Sequence, residues 1–120
     1  MKKIALVEDN PDNRMLVQVL LEDLYEVSEY ENGPLALAAF ETGQPDLVLL
    51  DISLPQMDGI EVLRRMRADD RMSGLPVIAL TAHASGADKE RFKAAGFSDY
   101  VTKPIVDEKV LLDAIARHIR

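Results

Sequence analysis

Five positions in this 120-residue chain carry side chains suited to one piece of chemistry. Glu8 and Asp9 follow the apolar run 4–7, Asp51 ends the run 47–50, Thr81 ends the run 77–80, and Lys103 follows Tyr100-Val101-Thr102. A short apolar run that stops at a reactive polar group is the pattern of a buried strand delivering that group to a sheet edge. Brought to one rim, three carboxylates repel one another and raise at least one pKa unless a cation is present. With no cysteine and no clustered histidine, the available ligands are oxygens, which suit a hard divalent cation such as Mg²⁺. A lysine supplies a point charge, and a threonine a hydroxyl, for the oxygens of a phosphoryl group. A carboxylate facing them can act as nucleophile and become an aspartyl phosphate. The residues point to phosphoryl transfer onto the protein itself.

Ten elements are needed to position these groups. Residues 3–7 predict a first strand. Asn10-Pro11 then places a capping side chain before a proline at the first helical position. That first helix runs to about residue 24, with Leu16, Leu20 and Leu24, and Val17 and Leu21 beside them, as its apolar face. Residues 25–30 predict a second strand. Gly33-Pro34 opens a second helix that reaches residue 41, and Gly43-Gln44-Pro45 stops it before a third strand at 46–50. A third helix at 59–67 turns Ile60, Leu63 and Met66 inward, and Pro76 introduces a fourth strand at 77–81. The fourth helix, 85–95, has only Phe92 and alanines as anchors, so its hold on the sheet is the weakest. A fifth strand at 99–102 leads to a last helix at 106–119, with Val110, Leu111, Ala114, Ile115 and His118 on one face. Five such alternations imply a doubly wound α/β fold, a parallel sheet covered by helices on both faces. Ligands of such sheets bind outside the carboxyl ends of the strands, at a switch in strand order, which is the rim just described.

Length and composition narrow the function. The chain is long enough to bury a core without staples, and nothing divides 1–120 into more than one domain. The absence of cysteine fits a reducing compartment, and Glu8-Asp9 cuts short the signal-like start Lys2-Lys3 plus apolar 4–7, so a cytoplasmic protein without membrane attachment is expected. With 21 acidic and 14 basic residues the net charge is -7, which repels a phosphate backbone and argues against direct nucleic-acid binding.

The ordered set Glu8-Asp9-Asn10, Asp51 through Gly59, Thr81-Ala82 and Lys103-Pro104 resembles the receiver domains of two-component response regulators, over essentially the whole chain. It is similar to CheY-like single-domain receivers, while Leu80-Thr81-Ala82-His83-Ala84 also resembles receivers attached to hybrid histidine kinases. The resemblance implies a flavodoxin-like (βα)5 fold with strand order 2-1-3-4-5. It implies that Asp51 accepts phosphate, that Asp9, Asp51 and the Ser53 carbonyl hold Mg²⁺, and that Glu8 acts through metal-bound water. Thr81 would turn its hydroxyl to the phosphoryl group, and Lys103, followed by a cis Pro104, would pair with Asp51 or the phosphate. Tyr100 matches an aromatic switch residue, and Ser53 and His83 match positions that tune phosphate lifetime. The implied partners are a sensor histidine kinase or histidine phosphotransfer protein and a downstream protein. The downstream contact falls on the face formed by the fourth helix, fifth strand and fifth helix, through which homodimerisation also stays open. With no DNA-binding module after Ile119-Arg120, the expected output is a protein contact.

Taken singly, each residue has a plainer role. Asp9 and Asp51 can cap turns, Thr81 suits a strand, Tyr100 can be a packed aromatic, His118 a half-buried packing residue, and the five methionines core filler. Lys89, Glu90, Arg91 and Lys93 fit a solvated helix face. Among competing functions, a phosphatase with an aspartyl-phosphate intermediate usually has a second aspartate two residues after the nucleophile, where Ser53 stands, so turnover of external substrates is not expected. A nucleotide or flavin site lacks its glycine-rich loop. A phosphate-independent scaffold would be suggested by loss of Asp51, Asp9 or Lys103, and all are present.

Overall fold

In a computed structural model, described for residues 1–82 and 85–119, strands and helices alternate along the chain. They are β1 (Lys3–Val7), α1 (Pro11–Leu21), β2 (Glu26–Tyr30), α2 (Gly33–Phe40), β3 (Leu47–Asp51), α3 (Gly59–Arg67), β4 (Val77–Thr81), α4 (Gly86–Ala95), β5 (Asp99–Thr102) and α5 (Glu108–His118). The strands pair in parallel in the order β2-β1-β3-β4-β5. The order reverses at β1, so the crevice between the carboxyl ends of β1 and β3 is the switch point, and Glu8 and Asp51 stand at it.

Alternation along each strand sorts the core into two layers. Ala5, Val7, Val48, Leu50, Val77 and Ala79 pack on one side with Ala36 and Phe40 of α2, Val62, Leu63 and Met66 of α3, and Phe92 of α4. Ile4, Leu6, Leu47, Leu49, Ile78, Leu80 and Val101 pack on the other with Val17 and Leu21 of α1 and Leu111, Ala114 and Ile115 of α5. Both faces are therefore covered, and β1, β3 and β4 are buried almost throughout. Among the described residues, no helix is long and apolar enough to cross a membrane.

The helices depart from the sequence expectation in instructive places. α1 ends at Leu21, three residues early, because Glu22-Asp23 is unfavourable at the negative end of a helix dipole and the chain must turn to begin β2 beside Lys3. Its core-facing residues are Val17 and Leu21, while Leu16 and Leu24 are 40% and 54% exposed. α5 starts two residues late because the Asp107 side chain caps it by accepting from the Lys109 amide, which leaves Val106 and Val110 largely outside the core. Met66 and Met72 fill the core, whereas Met1 and Met15 do not. His118 is half-buried, as anticipated, with Nε2 3.1 Å from Asp99 Oδ2.

α4 is held mainly at its ends. Its N-terminus carries a reciprocal capping box between Ser85 and Asp88, and Phe92 is its only buried side chain. Beyond Gly96, in the left-handed region at φ 107°, Phe97 meets Phe92 edge-on with ring centroids 5.8 Å apart. Arg67 of α3 clasps the same end, donating to the carbonyls of Gly96 at 3.0 Å and Leu75 at 2.8 Å.

Candidate functional site

The site forms where β1, β3 and β4 end. Glu8, Asp51 and Thr81 are the buried polar residues at that rim, at 1%, 1% and 3% exposure, and Asp9 stands exposed beside them. Two buried carboxylates side by side are costly without a cation. Lys103, in the link from β5 to α5, supplies one: its Nζ lies 3.0 Å from Asp51 Oδ1 and 3.4 Å from Glu8 Oε1. The peptide bond from Lys103 to Pro104 is cis, and the Lys103 amide donates to the Thr81 carbonyl at 2.7 Å, which ties this link to the end of β4.

Asp51 is fixed from two further directions. Its Oδ1 accepts from the Ser53 amide at 3.0 Å. Its backbone lies against Gly59, whose amide donates to the Ile52 carbonyl at 2.9 Å. Glu8 is held as closely: Oε1 accepts from Asn13 Nδ2 at 3.1 Å, and Oε2 from the Asn10 amide at 3.3 Å. Asn10 in turn caps α1 by accepting from the amides of Asp12 and Asn13. The sequence does not single out Asn13, or Arg14 beside it, whose Nη1 donates to the carbonyls of Glu8 and Asp9. A cation early in a helix, where the dipole disfavours it, was the available signal.

One lysine does not balance three acids. Burial first, then the hydrogen bond and charge of Asp51, push the Glu8 carboxyl up to about 7, against the opposing pull of Lys103 and the Asn10 amide. Burial works against the Lys103 charge, but Asp51 and Glu8 outweigh it and hold the ammonium above its ordinary range. Carboxylate oxygens of Glu8, Asp9 and Asp51 lie within 4.8 Å of one another, an all-oxygen set with surplus negative charge that fits a hard cation.

The other predicted residues are placed around this cluster. Thr81 pairs in register with Thr102, and Asp51 with Leu80 across β3 and β4. Tyr100 is half-buried in β5, outside the acid and lysine cluster, with Lys89 Nζ 5.6 Å from its ring centroid. The Ser53 side chain is exposed at the rim. His83 lies outside the described residues.

A parallel sheet of this order with an acid trio and a lysine at its carboxyl rim defines a signalling module of the receiver type. Residues 4–116 match the family described as response regulator receiver domain, and the chain belongs to that family. It is 42% identical over 112 residues to the sensor protein GacS of Pseudomonas syringae pv. syringae, matching 90% of this chain and 12% of that protein. It is 41% identical over 105 residues to the polar-differentiation response regulator DivK of Brucella anthropi, covering 87% of this chain and 85% of DivK. The chain thus spans only about an eighth of the sensor-kinase relative and most of the regulator. Among solved structures, the receiver domain of sensor histidine kinase PA1611 from Pseudomonas aeruginosa PAO1, with a magnesium ion coordinated in its active-site cleft, superposes with a TM-score of 0.88 at 36% identity, covering 98% of this chain and 96% of that one.

Proposed function

We propose that this receiver takes a phosphoryl group onto Asp51 from the phosphohistidine of a sensor kinase or phosphotransfer protein. The observation that carries this is the contact of Lys103 Nζ with Asp51 Oδ1 at 3.0 Å inside a rim of three converging carboxylates. Oδ1 is engaged by Lys103 and the Ser53 amide, so the second oxygen is the one to attack phosphorus. The new bond is from that oxygen to phosphorus. The bond from phosphorus to the donor's imidazole nitrogen breaks, and its electron pair returns to the imidazole. Lys103 then stays within reach of the transferred oxygens, with Thr81 offering its hydroxyl from β4.

Asp9, Asp51 and the Ser53 carbonyl would hold Mg²⁺, with Glu8 acting through water. When bound there, the cation offsets the charge of the carboxylates and of the phosphoryl oxygens. Residues 1–120 act as one receiver unit that is phosphorylated and read, not as a turnover enzyme. Its setting is the cytoplasm. Phosphorylation biases a two-state equilibrium through Thr81 and Tyr100, and the downstream protein reads the face made by α4, β5 and α5. Ser53 and His83 tune how long the phosphate lasts. The likeness to GacS favours a second setting, in which the same receiver is a segment of a hybrid kinase.

Intact-protein mass after incubation with Mg²⁺ and acetyl phosphate tests the acceptor. A Mg²⁺-dependent, base-labile phosphoryl adduct on the parent and none on Asp51→Asn is the expected result. Equal labelling of both chains overturns the assignment.

A further inference from the structure

Asp9 is the outlier among the three acids. Asp51 and Glu8 are buried and hydrogen-bonded, but Asp9 is exposed, and among the described residues no hydrogen bond or ion pair holds its carboxylate. With no side-chain partner among the described residues, the reach of that carboxylate is governed by where the backbone places the Asp9 Cα–Cβ bond. That backbone is gripped by one side chain: Arg14 Nη1 donates to the carbonyl before Asp9, that of Glu8, at 2.8 Å, and to the carbonyl of Asp9 itself at 3.1 Å. Both peptide planes that flank the Asp9 Cα are thus fixed by a single guanidinium. Arg14 is mostly covered, at 20% exposure, and is itself oriented from β2, where Glu29 Oε1 lies 3.4 Å from its Nε.

We infer that Arg14 is a positioning residue for the cation-binding carboxylates, with Glu29 setting its orientation. The chemistry suits arginine in particular. A planar fork can keep Nη1 on two carbonyls while Nε faces an acid, whereas a lysine ammonium has no second nitrogen to place. The hydrogen bonds are charge-assisted and carry positive charge to the back of a loop whose front gathers three acids. Asn13 completes the arrangement: by donating to Glu8 Oε1, which also meets Lys103, it keeps that carboxylate on the lysine side and leaves Asp9 to face the cation with Asp51. Support of this kind behind a ligand typically changes metal affinity by 10- to 100-fold when removed.

The inference rests on the reading that Asp9 and Asp51 hold the cation, and the test separates the two. Mg²⁺ is titrated into the full chain while backbone amide shifts are followed by NMR, for the parent, Arg14→Met, Arg14→Lys, Glu29→Gln and Asp9→Asn. Methionine keeps most of the apolar stem of Arg14. Arg14→Met is expected to weaken Mg²⁺ binding by about tenfold or more, Arg14→Lys to restore it only in part, and Glu29→Gln to weaken it less than Arg14→Met. In metal-free protein, Arg14→Met also speeds amide exchange at Asn10, Asp12 and Asn13, a change a remote packing loss would not confine to the start of α1. Should Arg14→Met fail to fold, Glu29→Gln and Arg14→Lys decide the matter. Parent-like Mg²⁺ affinity in the folded Arg14 and Glu29 variants, with binding lost in Asp9→Asn, overturns the role of Arg14 and leaves the cation site standing. Unchanged binding in Asp9→Asn, or none in the parent, overturns both.

Discussion

Gly59 seats directly on the backbone of Asp51. A Cβ at this position would overlap the Asp51 carbonyl oxygen and stand 2.8 Å from Ile52 Cα, both of them main-chain atoms in a buried turn. The helix that follows Asp51, the proposed acceptor, is therefore docked through the absence of a side chain. Gly59→Ala is expected to destabilise the fold by about 1–3 kcal/mol, the usual cost of overpacking. It should also slow phosphorylation in the fraction that remains folded, because relief of the overlap moves Asp51. Urea unfolding and the rate of acetyl phosphate labelling measure the two effects. Parent values in both would show that the turn yields freely.

The raised pKa of Glu8 makes stability depend on pH. Its carboxyl lies at about 7 in the fold against an ordinary 4.5, so the folded chain binds this proton more tightly than the unfolded chain does. The contribution is complete below 4.5 and is lost as pH rises through about 7. Metal-free protein should become less stable across that window, Glu8→Gln should flatten the slope, and added Mg²⁺ should restore stability above it by mass action. Urea unfolding at a series of pH values, with and without Mg²⁺, reads all three. An identical slope in parent and variant would remove Glu8 as its source.

Phe92 is the one buried side chain of α4. Phe92→Ala is expected to cost about 3–5 kcal/mol if α4 unfolds with the rest, and less if α4 detaches by itself. Hydrogen exchange distinguishes these. Selective loss of protection in α4, with β1, β3 and β4 unchanged, is the expected pattern, since Arg67 and the capping box hold only the ends. Uniform loss would mean that α4 is integral to the core.

Gln18 offers a gain. Its Oε1 is buried without a hydrogen-bond partner among the described residues, a state that costs about 1–3 kcal/mol. Gln18→Leu keeps the volume near that of glutamine and removes the orphan acceptor, so stability should rise by about 1 kcal/mol, seen as a higher urea midpoint at unchanged slope. A lower midpoint would show that the amide is satisfied through its other end.

The strand ends and their polar terminators were legible because a buried parallel strand needs a continuous apolar run, and the break in that run marks the rim. Asp51, Thr81 and Lys103 could be found in this way. The core face of α1 could not: a helical period of 3.6 lets 16-20-24 and 17-21 both pass as stripes, and only the position of the neighbouring sheet chooses the second. Arg14 and Asn13 were hidden for another reason. Polar residues early in a helix are commonly solvated, and their bonds to Glu8 and Asp9 depend on where the loop folds back. Gly59 showed itself as a helix start and as the end of the stretch begun by Asp51, but its contact did not, because what a missing Cβ makes room for is written in the tertiary contact, not in the local sequence.

The alternation of the strands has a consequence for how a signal passes through such a switch. Along the chain, Glu8, Asp51 and Lys103 keep the phase of the layer that α1 and α5 cover, while Thr81 and Tyr100 keep the phase of the layer under α2, α3 and α4. The sheet is a partition, and Asp51 sits on its lip with neighbours on either side. On the proposed reading, the residues that take the phosphoryl group and the Thr81 and Tyr100 that respond to it meet at this lip, and α5 on one side joins α4 on the other in the output face, so the signal must cross the sheet at its edge.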